Sequence, residues 1–346
     1  MDTTAPPAEQ TARPERGTAA PEPRTRVTIG VLTFRRPDDL RSLLPALLEQ
    51  AAACAGADRA VEVLVVDNDS SGSGAAVVEA VGGGVVRYVV EPTPGIAAAR
   101  NRVLDEAAGS TCVVFIDDDE RPHHGWLTQL LTTWEASGAA VVAGAVVSSF
   151  AGPLDPWVEA GGFFSRRRLP TGTRISVAAT NNLLVDMAVL RRTGVRFDPE
   201  FGLSGGSDTL FTRALAGHGA PMVWCDEAVV TDAVPASRMT PRWVLRRAFR
   251  SGNSAARVEL VLARSAGGRL AARGAALARG VPRLAMGGAR WAVGAVTGSR
   301  AHRARGLRTA ARGAGLLAGV VGVVYQEYRR PAAAVGSGDG PRATAA

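Results

Sequence analysis

The chain has 346 residues, room for one large domain with an appendage, and all 40 of its basic residues are arginine, which excludes any mechanism that needs a side-chain amine. The net charge of +8 is uneven: residues 238–330 hold 19 Arg against Glu259 and Glu327, which leaves −9 for the rest. That basic piece is poor in aromatics and carries no zinc-finger, RRM or homeodomain pattern, so an anionic membrane surface fits its charge better than nucleic acid does.

Residues 1–25 lack the apolar segment of a signal peptide and read as a disordered leader. From Arg26 the runs "RVTIGVLTF", "VEVLVVDND", "VVRYVV" and "TCVVFIDDD" predict four strands. Helical spacing at Pro37 to Ala53, Ser73 to Val81 and Gly95 to Ala108 separates them. Alternation of this kind predicts an open, mostly parallel sheet covered by helices on both faces, with ligands bound beyond the carboxyl ends of the strands. Polar residues gather at three such ends: Thr33, Phe34 and Arg35, then Asp67, Asn68 and Asp69, then Asp117, Asp118 and Asp119.

A helix from Trp126 to about Ser137, a strand "AAVVAGAVVSSF", a loose stretch from Gly152 to Thr173 and a strand "RISVAATNNLLVD" come next. A helix is then predicted from near Ser207 to Gly217. Beyond Thr240, apolar and Arg positions alternate at helical spacing with interruptions at Gly, which predicts an Arg-rich helical extension over residues 239–330 and a disordered tail over 331–346. No apolar run reaches the roughly 18 residues of a membrane span, and Cys54, Cys112 and Cys225 suggest neither disulfides nor a CxxC metal site. The expected location is cytoplasmic, peripheral at the inner face of the cell membrane.

Crowded acids need a reason, because like charges repel. Asp117 and Asp119, two residues apart at a strand end, point to the same side and suit a hard cation such as Mg²⁺ or Mn²⁺ bridging a diphosphate. An exposed acidic turn is the other reading.

With those residues in view, the stretch from Arg26 to about Ser254 resembles a family 2 glycosyltransferase of the nucleotide-sugar-binding GT-A fold. The likeness is carried by "VLTFRRPDDL", "VLVVDNDS", "PGIAAARN", "FIDDDERP", "FDPEFGLSGGSD" and "VPASRMTPRWVLRRAFRSG". Within the family it is most similar to bacterial enzymes that build extracellular polysaccharide or decorate glycans and natural products. The resemblance implies a GT-A domain over 26–238 and an inverting, metal-dependent transfer of sugar from a nucleotide diphosphate to a hydroxyl of a glycan or lipid-linked acceptor. It also implies roles for single residues. Thr33, Phe34 and Arg35 line the base, Asp67 and Asn68 orient it, and Asp118 contacts the ribose. Asp119 ligates metal with Asp117 in support, and Asp208 is the catalytic base. Arg100 either reaches a phosphate or lies solvated on its helix, and Asp67 either orients the base or caps its turn. Two departures from the family pattern stand out. Ser207 replaces the Glu that commonly precedes the base, and Asp232 stands where a metal-associated His is common, after the last strand. They motivate an alternative: a catalytically degenerate scaffold that binds a nucleotide sugar or a glycan at the membrane. Sugar-phosphate nucleotidyl transfer commonly needs a Gly-rich loop with Lys, which this chain lacks.

Overall fold

The structure, a computed structural model, describes residues 24–325. The disordered leader and tail expected from the sequence lie outside this range, apart from the last two leader positions, and Thr25 already belongs to the first strand.

The first half alternates as predicted: β1 Thr25–Thr33, α1 Pro37–Cys54, β2 Arg59–Asp67, α2 Ala75–Gly82, β3 Val86–Val90, α3 Ile96–Glu106 and β4 Cys112–Asp117. There follow β5 Glu120–Pro122, α4 Trp126–Ser137, β6 Val141–Phe150, α5 Pro156–Gly161, β7 Asn182–Asp186, α6 Met187–Thr193, α7 Ser207–Gly217 and β8 Met222–Val234. Three long helices complete the described chain: α8 Pro241–Leu262, α9 Ala266–Val296 and α10 Arg300–Val320.

The strands make one mainly parallel sheet in the order β3-β2-β1-β4-β7-β6-β8-β5, with β7 antiparallel to both neighbours and β5 antiparallel to β8. Alternation along β1 sends Val27, Ile29 and Val31 toward Leu40, Leu43, Leu44 and Leu47 of α1. Leu32 joins Leu64, Val66, Val113 and Phe115 on the other face, against Val103 of α3 and Phe211 of α7. Full burial of each such side chain contributes about 1.5–3 kcal/mol, so both faces of the sheet are strongly specified. Gly30 marks a close approach: a Cβ there would lie 2.5 Å from Val103 Cγ1, so glycine lets α3 settle on the sheet.

Two elements lie outside the predicted pattern. The strand expected over 174–186 forms only at Asn182–Asp186. Its earlier part divides: Arg174 bridges Val223 of β8 and Ile175 N donates to Met222 O, whereas Ala178 N turns to α7 and donates to the Thr212 hydroxyl at 3.2 Å. Strand β8 runs unbroken through the polar pair Asp226 and Glu227, because its register against β6 shifts between Gly144 and Ala145. Asn182 bridges the irregularity by donating to Ala145 O and Ala228 O.

In the Arg-rich extension the glycines do not break the helices. Gly280, Gly287 and Gly294 of α9 recur every seven residues: Gly280 faces Gly313, Gly287 faces Gly306, and Gly294 faces His302 and Arg303, all on α10. A Cβ at Gly306 would stand 2.6 Å from Trp291 N, so the absence of side chains allows backbone to meet backbone. Gly315 does the same against Phe249 of α8, placing α10 between α8 and α9. The extension is also anchored to the sheet domain. Arg213 of α7 donates to Glu259 of α8 at 2.8 Å, Ser254 Oγ donates to Gly205 O at 3.1 Å, and the Arg257 guanidinium lies 4.4 Å from the Phe201 ring centroid.

Candidate active site

The carboxyl ends of β1, β2 and β4 open on one crevice, which β8 and the start of α7 complete. Asp118 is fixed by two donors: Thr33 Oγ1 bonds its Oδ2 at 2.9 Å and Arg36 Nη1 its Oδ1 at 2.9 Å. Arg36 Nη1 also reaches Asp119 Oδ2 at 2.9 Å, and Arg238 Nη1 meets the same oxygen at 3.2 Å. Two guanidiniums thus answer part of the acid cluster, and neither was singled out from the sequence. Arg36 had a local signal, since it directly precedes the Pro at the first position of α1. Arg238 comes from 119 residues further along the chain.

Burial disfavours the charged form of three of these acids. Burial pushes Asp117 up to about 7, with the Arg100 charge opposing and those of Asp119, Asp118 and Asp208 adding to the rise. Burial likewise raises Asp118 to about 6 against the pull of Arg36. Burial first, then the Asp117 charge, raises Glu120 well above the usual carboxylate range. Glu120 takes a hydrogen bond from Asn181 Nδ2 on Oε1, while its buried Oε2 has no partner among the described residues. Glu120 directly follows the three aspartates in the sequence. Its burial at 1 % exposure follows from the pairing of β5 with β8.

Asp208 sits in the first turn of α7, behind Gly205 and Gly206, whose φ values of +77° and +94° only glycine adopts readily. Oδ1 accepts from Thr209 N at 2.7 Å, and Oδ2 takes no hydrogen bond among the described residues. The Asp208 charge acts on Asp117, so helix start and strand end face the same space.

The remaining candidates are placed as follows. Asp67 is fully buried and spends both oxygens on its own loop and on β3: Oδ1 accepts from Asp69 N at 2.9 Å, and Oδ2 from Gly74 N at 2.7 Å and from Tyr88 Oη of β3 at 2.8 Å. Asn68 ties β2 to the segment before α3, with Nδ2 donating to Glu91 O and Thr93 O and Oδ1 accepting from Gly95 N. Arg35, with φ of 54°, turns its guanidinium away to Asp69 at 3.0 Å and over Phe34 at 5.2 Å. The Arg35 hydrogen bond holds Asp69 down at about 2. Arg100 is not a solvated helical arginine: it is buried, 5.4 Å from the Phe197 ring centroid, and its Nε has no hydrogen-bond partner among the described residues. Asp232 lies inside β8, opposite Glu120, rather than after the last strand as expected, because the strand continues to Val234. Its carboxylate is engaged by Arg166.

Among the described residues no three acidic, His or Cys side chains converge into a closed metal cage. A Mg²⁺-like ion does not need one, since it keeps several waters and takes one or two carboxylates plus substrate phosphates. Asp119 fits that demand, because both guanidiniums occupy its Oδ2 and leave Oδ1 open. The all-oxygen donor set and the unpartnered Glu120 Oε2 fit a hard cation as well.

Comparison with known proteins gives a consistent picture. The Glycosyl transferase family 2 profile matches residues 28–194. The chain is 35% identical over 237 residues to the succinoglycan biosynthesis protein ExoM of Rhizobium meliloti, an alignment covering 67% of this chain and 74% of that protein. The solved structure of GalNAc-T7 with UDP, GalNAc and Mn2+ superposes with a TM-score of 0.51 at 11% identity, over 70% of this chain and 48% of that one, a likeness of fold alone. S. aureus TarS 1-349 in complex with UDP aligns over 84% of this chain and 90% of that one, at 16% identity and a TM-score of 0.48.

Proposed function

The chain belongs to glycosyl transferase family 2 and is a glycosyltransferase, and from that premise we propose an inverting, Mg²⁺- or Mn²⁺-assisted transfer of sugar from a nucleotide diphosphate to an acceptor hydroxyl. The part of ExoM in succinoglycan biosynthesis supports a product class, polysaccharide or a related glycan. The carrying observation is the position of Asp208, with one oxygen tied to its own helix, the other without a hydrogen bond among the described residues, and its charge felt by Asp117.

Single displacement at an anomeric carbon needs a base for the incoming hydroxyl on the face opposite the leaving group. Asp208 takes that proton on Oδ2. On the donor side, Asp118 accepts from the ribose, while Thr33 and Arg36 hold it in direction. Asp67 and Asn68 shape the wall against which the base rests, together with Phe34 and the backbone of Arg35. Arg100 offsets negative charge beneath Asp117. A divalent cation bound at Asp119, with Asp117 and Asp232 nearby, would neutralise the departing diphosphate, so that no separate general acid is needed. Arg36 and Arg238 hold Asp119 in position for it.

Titration of a nucleoside diphosphate in the presence of Mn²⁺ tests the donor half. Asp119→Ala is expected to abolish the Mn²⁺-dependent part of the affinity. Equal affinity in wild type and variant would remove Asp119 from the site.

The acceptor is a glycan, soluble or lipid-linked, met at an anionic membrane surface. No helix among the described residues is long and apolar enough to cross a membrane. Helix α9 instead leaves Leu270, Leu277, Val281, Leu284 and Trp291 exposed in one stripe at helical spacing, beside Arg273. Such a face suits interfacial burial with guanidiniums at the head groups.

A further inference from the structure

Between the 163–167 segment, α8 and α10 lies a cavity of about 300 Å³. That is the lower end of the range for small-molecule sites. Its walls include Arg166, Arg247, Arg308 and Arg312, and the nearly parallel rings of Phe164 and Trp243, 5.9 Å apart. Arg166 is paired with Asp232. Among the described residues no carboxylate pairs with Arg247, Arg308 or Arg312. Burial, then the charges of Arg166 and Arg250, push the Arg247 guanidinium down to about 10. Burial and the Arg308 charge lower Arg312. With Arg167, five guanidiniums line one concave space with one counter-charge among them, an arrangement suited to an anion from outside the chain. Their planar forks match the oxygens of a phosphate or diphosphate.

The cavity adjoins the catalytic crevice without belonging to its donor half. Arg166 joins the two through Asp232, and Arg247 feels the charges of both Asp232 and Arg238, which itself bonds Asp119. The donor diphosphate is drawn to the acids at the strand ends, so an anion among these arginines comes in with the other substrate.

We infer that this cavity seats a phosphate or diphosphate ester carried by the acceptor, with Phe164 and Trp243 lining the side where the adjoining sugar lies. The inference takes from the glycosyltransferase reading only what carries the phosphate. Anion binding itself does not depend on that reading.

Inorganic pyrophosphate is the probe, titrated calorimetrically into the full chain with EDTA present, so that no divalent cation supports diphosphate binding at the donor site. One equivalent should bind. Arg308→Gln combined with Arg312→Gln, both on α10, should weaken it by about tenfold or more, since each charge-assisted hydrogen bond is worth at least that factor. The matching double Lys variant should recover part of the loss. Binding that survives the Gln pair unchanged overturns the inference. So does competition by a nucleoside diphosphate with Mn²⁺ on the wild type, which would put the anion in the donor site. A third overturning result is no pyrophosphate binding together with Arg-dependent flotation on phosphatidylglycerol vesicles, which would assign the cluster to lipid head groups. A protein that binds pyrophosphate here but no donor nucleotide would keep the anion site and refute the transferase mechanism instead.

Discussion

Asp208→Asn isolates the proton-taking role of that carboxylate, because Asn keeps an oxygen for Thr209 N and caps a first turn about as well as Asp does. Transfer should fall by roughly 10² to 10⁴, the range of lost general-base catalysis, with the melting temperature unchanged. A variant that transfers at the wild-type rate, followed by nucleotide release, would exclude Asp208 as the base. Asp117 and Asp118 support a second expectation. Their folded-state values of about 7 and about 6 lie above the ordinary 3.8, so between those limits the folded protein holds protons that the unfolded chain has lost. Stability contributed by these groups is therefore present at low pH and lost as pH rises through 6 to 7. Without divalent cation, the fall in melting temperature from pH 5.5 to pH 8 should be smaller in Asp117→Asn than in wild type, and identical slopes would contradict the assignment. Most of the acids that face the crevice were legible as residues, since carboxylates crowded at a strand end cost free energy unless something answers them. What answers them here was less legible. Arg36, Arg238 and Asn181 are brought in by loops and by strand pairing, which no local pattern encodes.

At the scale of elements, the glycines of the C-terminal helices divide into two kinds. A Cβ at Gly315 would stand 1.9 Å from Phe249 O, whereas Gly274 and Gly288 have nothing within 4 Å. Gly315→Ala should force α10 away from α8 and cost about 1–3 kcal/mol or more, the range for overpacking. Gly274→Ala in the same bundle should gain about 0.5–1 kcal/mol from helix propensity. Urea denaturation of the two variants checks both signs, and equal effects would mean that close packing is not what the glycines supply. The same residues show where pattern reading fell short. Read singly, glycine signals a break, and α9 was expected in pieces. Read at its spacing of seven, it signals a seam between two backbones. The stretch 174–181 misled in the opposite way: its apolar spacing suits a strand, but pairing with β8 stops after Ile175 and Ala178 N turns to the Thr212 hydroxyl of α7.

For the whole molecule, the uneven charge seen in the sequence becomes a spatial division, acids in the crevice and guanidiniums across the helical extension. The parallel half of the sheet and its helices were readable because burial on both faces leaves long β-branched runs between helical stretches. How the extension docks on the sheet domain was not readable, since it rests on single contacts such as Arg213 with Glu259. If α9 meets lipid, the full chain should float with vesicles containing phosphatidylglycerol, and less so as salt rises. Equal recovery on neutral vesicles would remove the electrostatic component, and none on either would leave the α9 stripe without that role.

Helix α8 forms the wall behind Gly205 and Gly206, just ahead of Asp208, and it is also the support on which α10 and then α9 are stacked. A single rigid rod therefore belongs to both the reaction centre and the exposed helical layer. Linkage makes any communication along it reciprocal: whatever factor surface docking applies to acceptor affinity, a bound acceptor must apply to docking. Where that factor favours binding, the protein would hold its surface more tightly while a substrate is in place and loosen its grip on release, which times attachment to turnover.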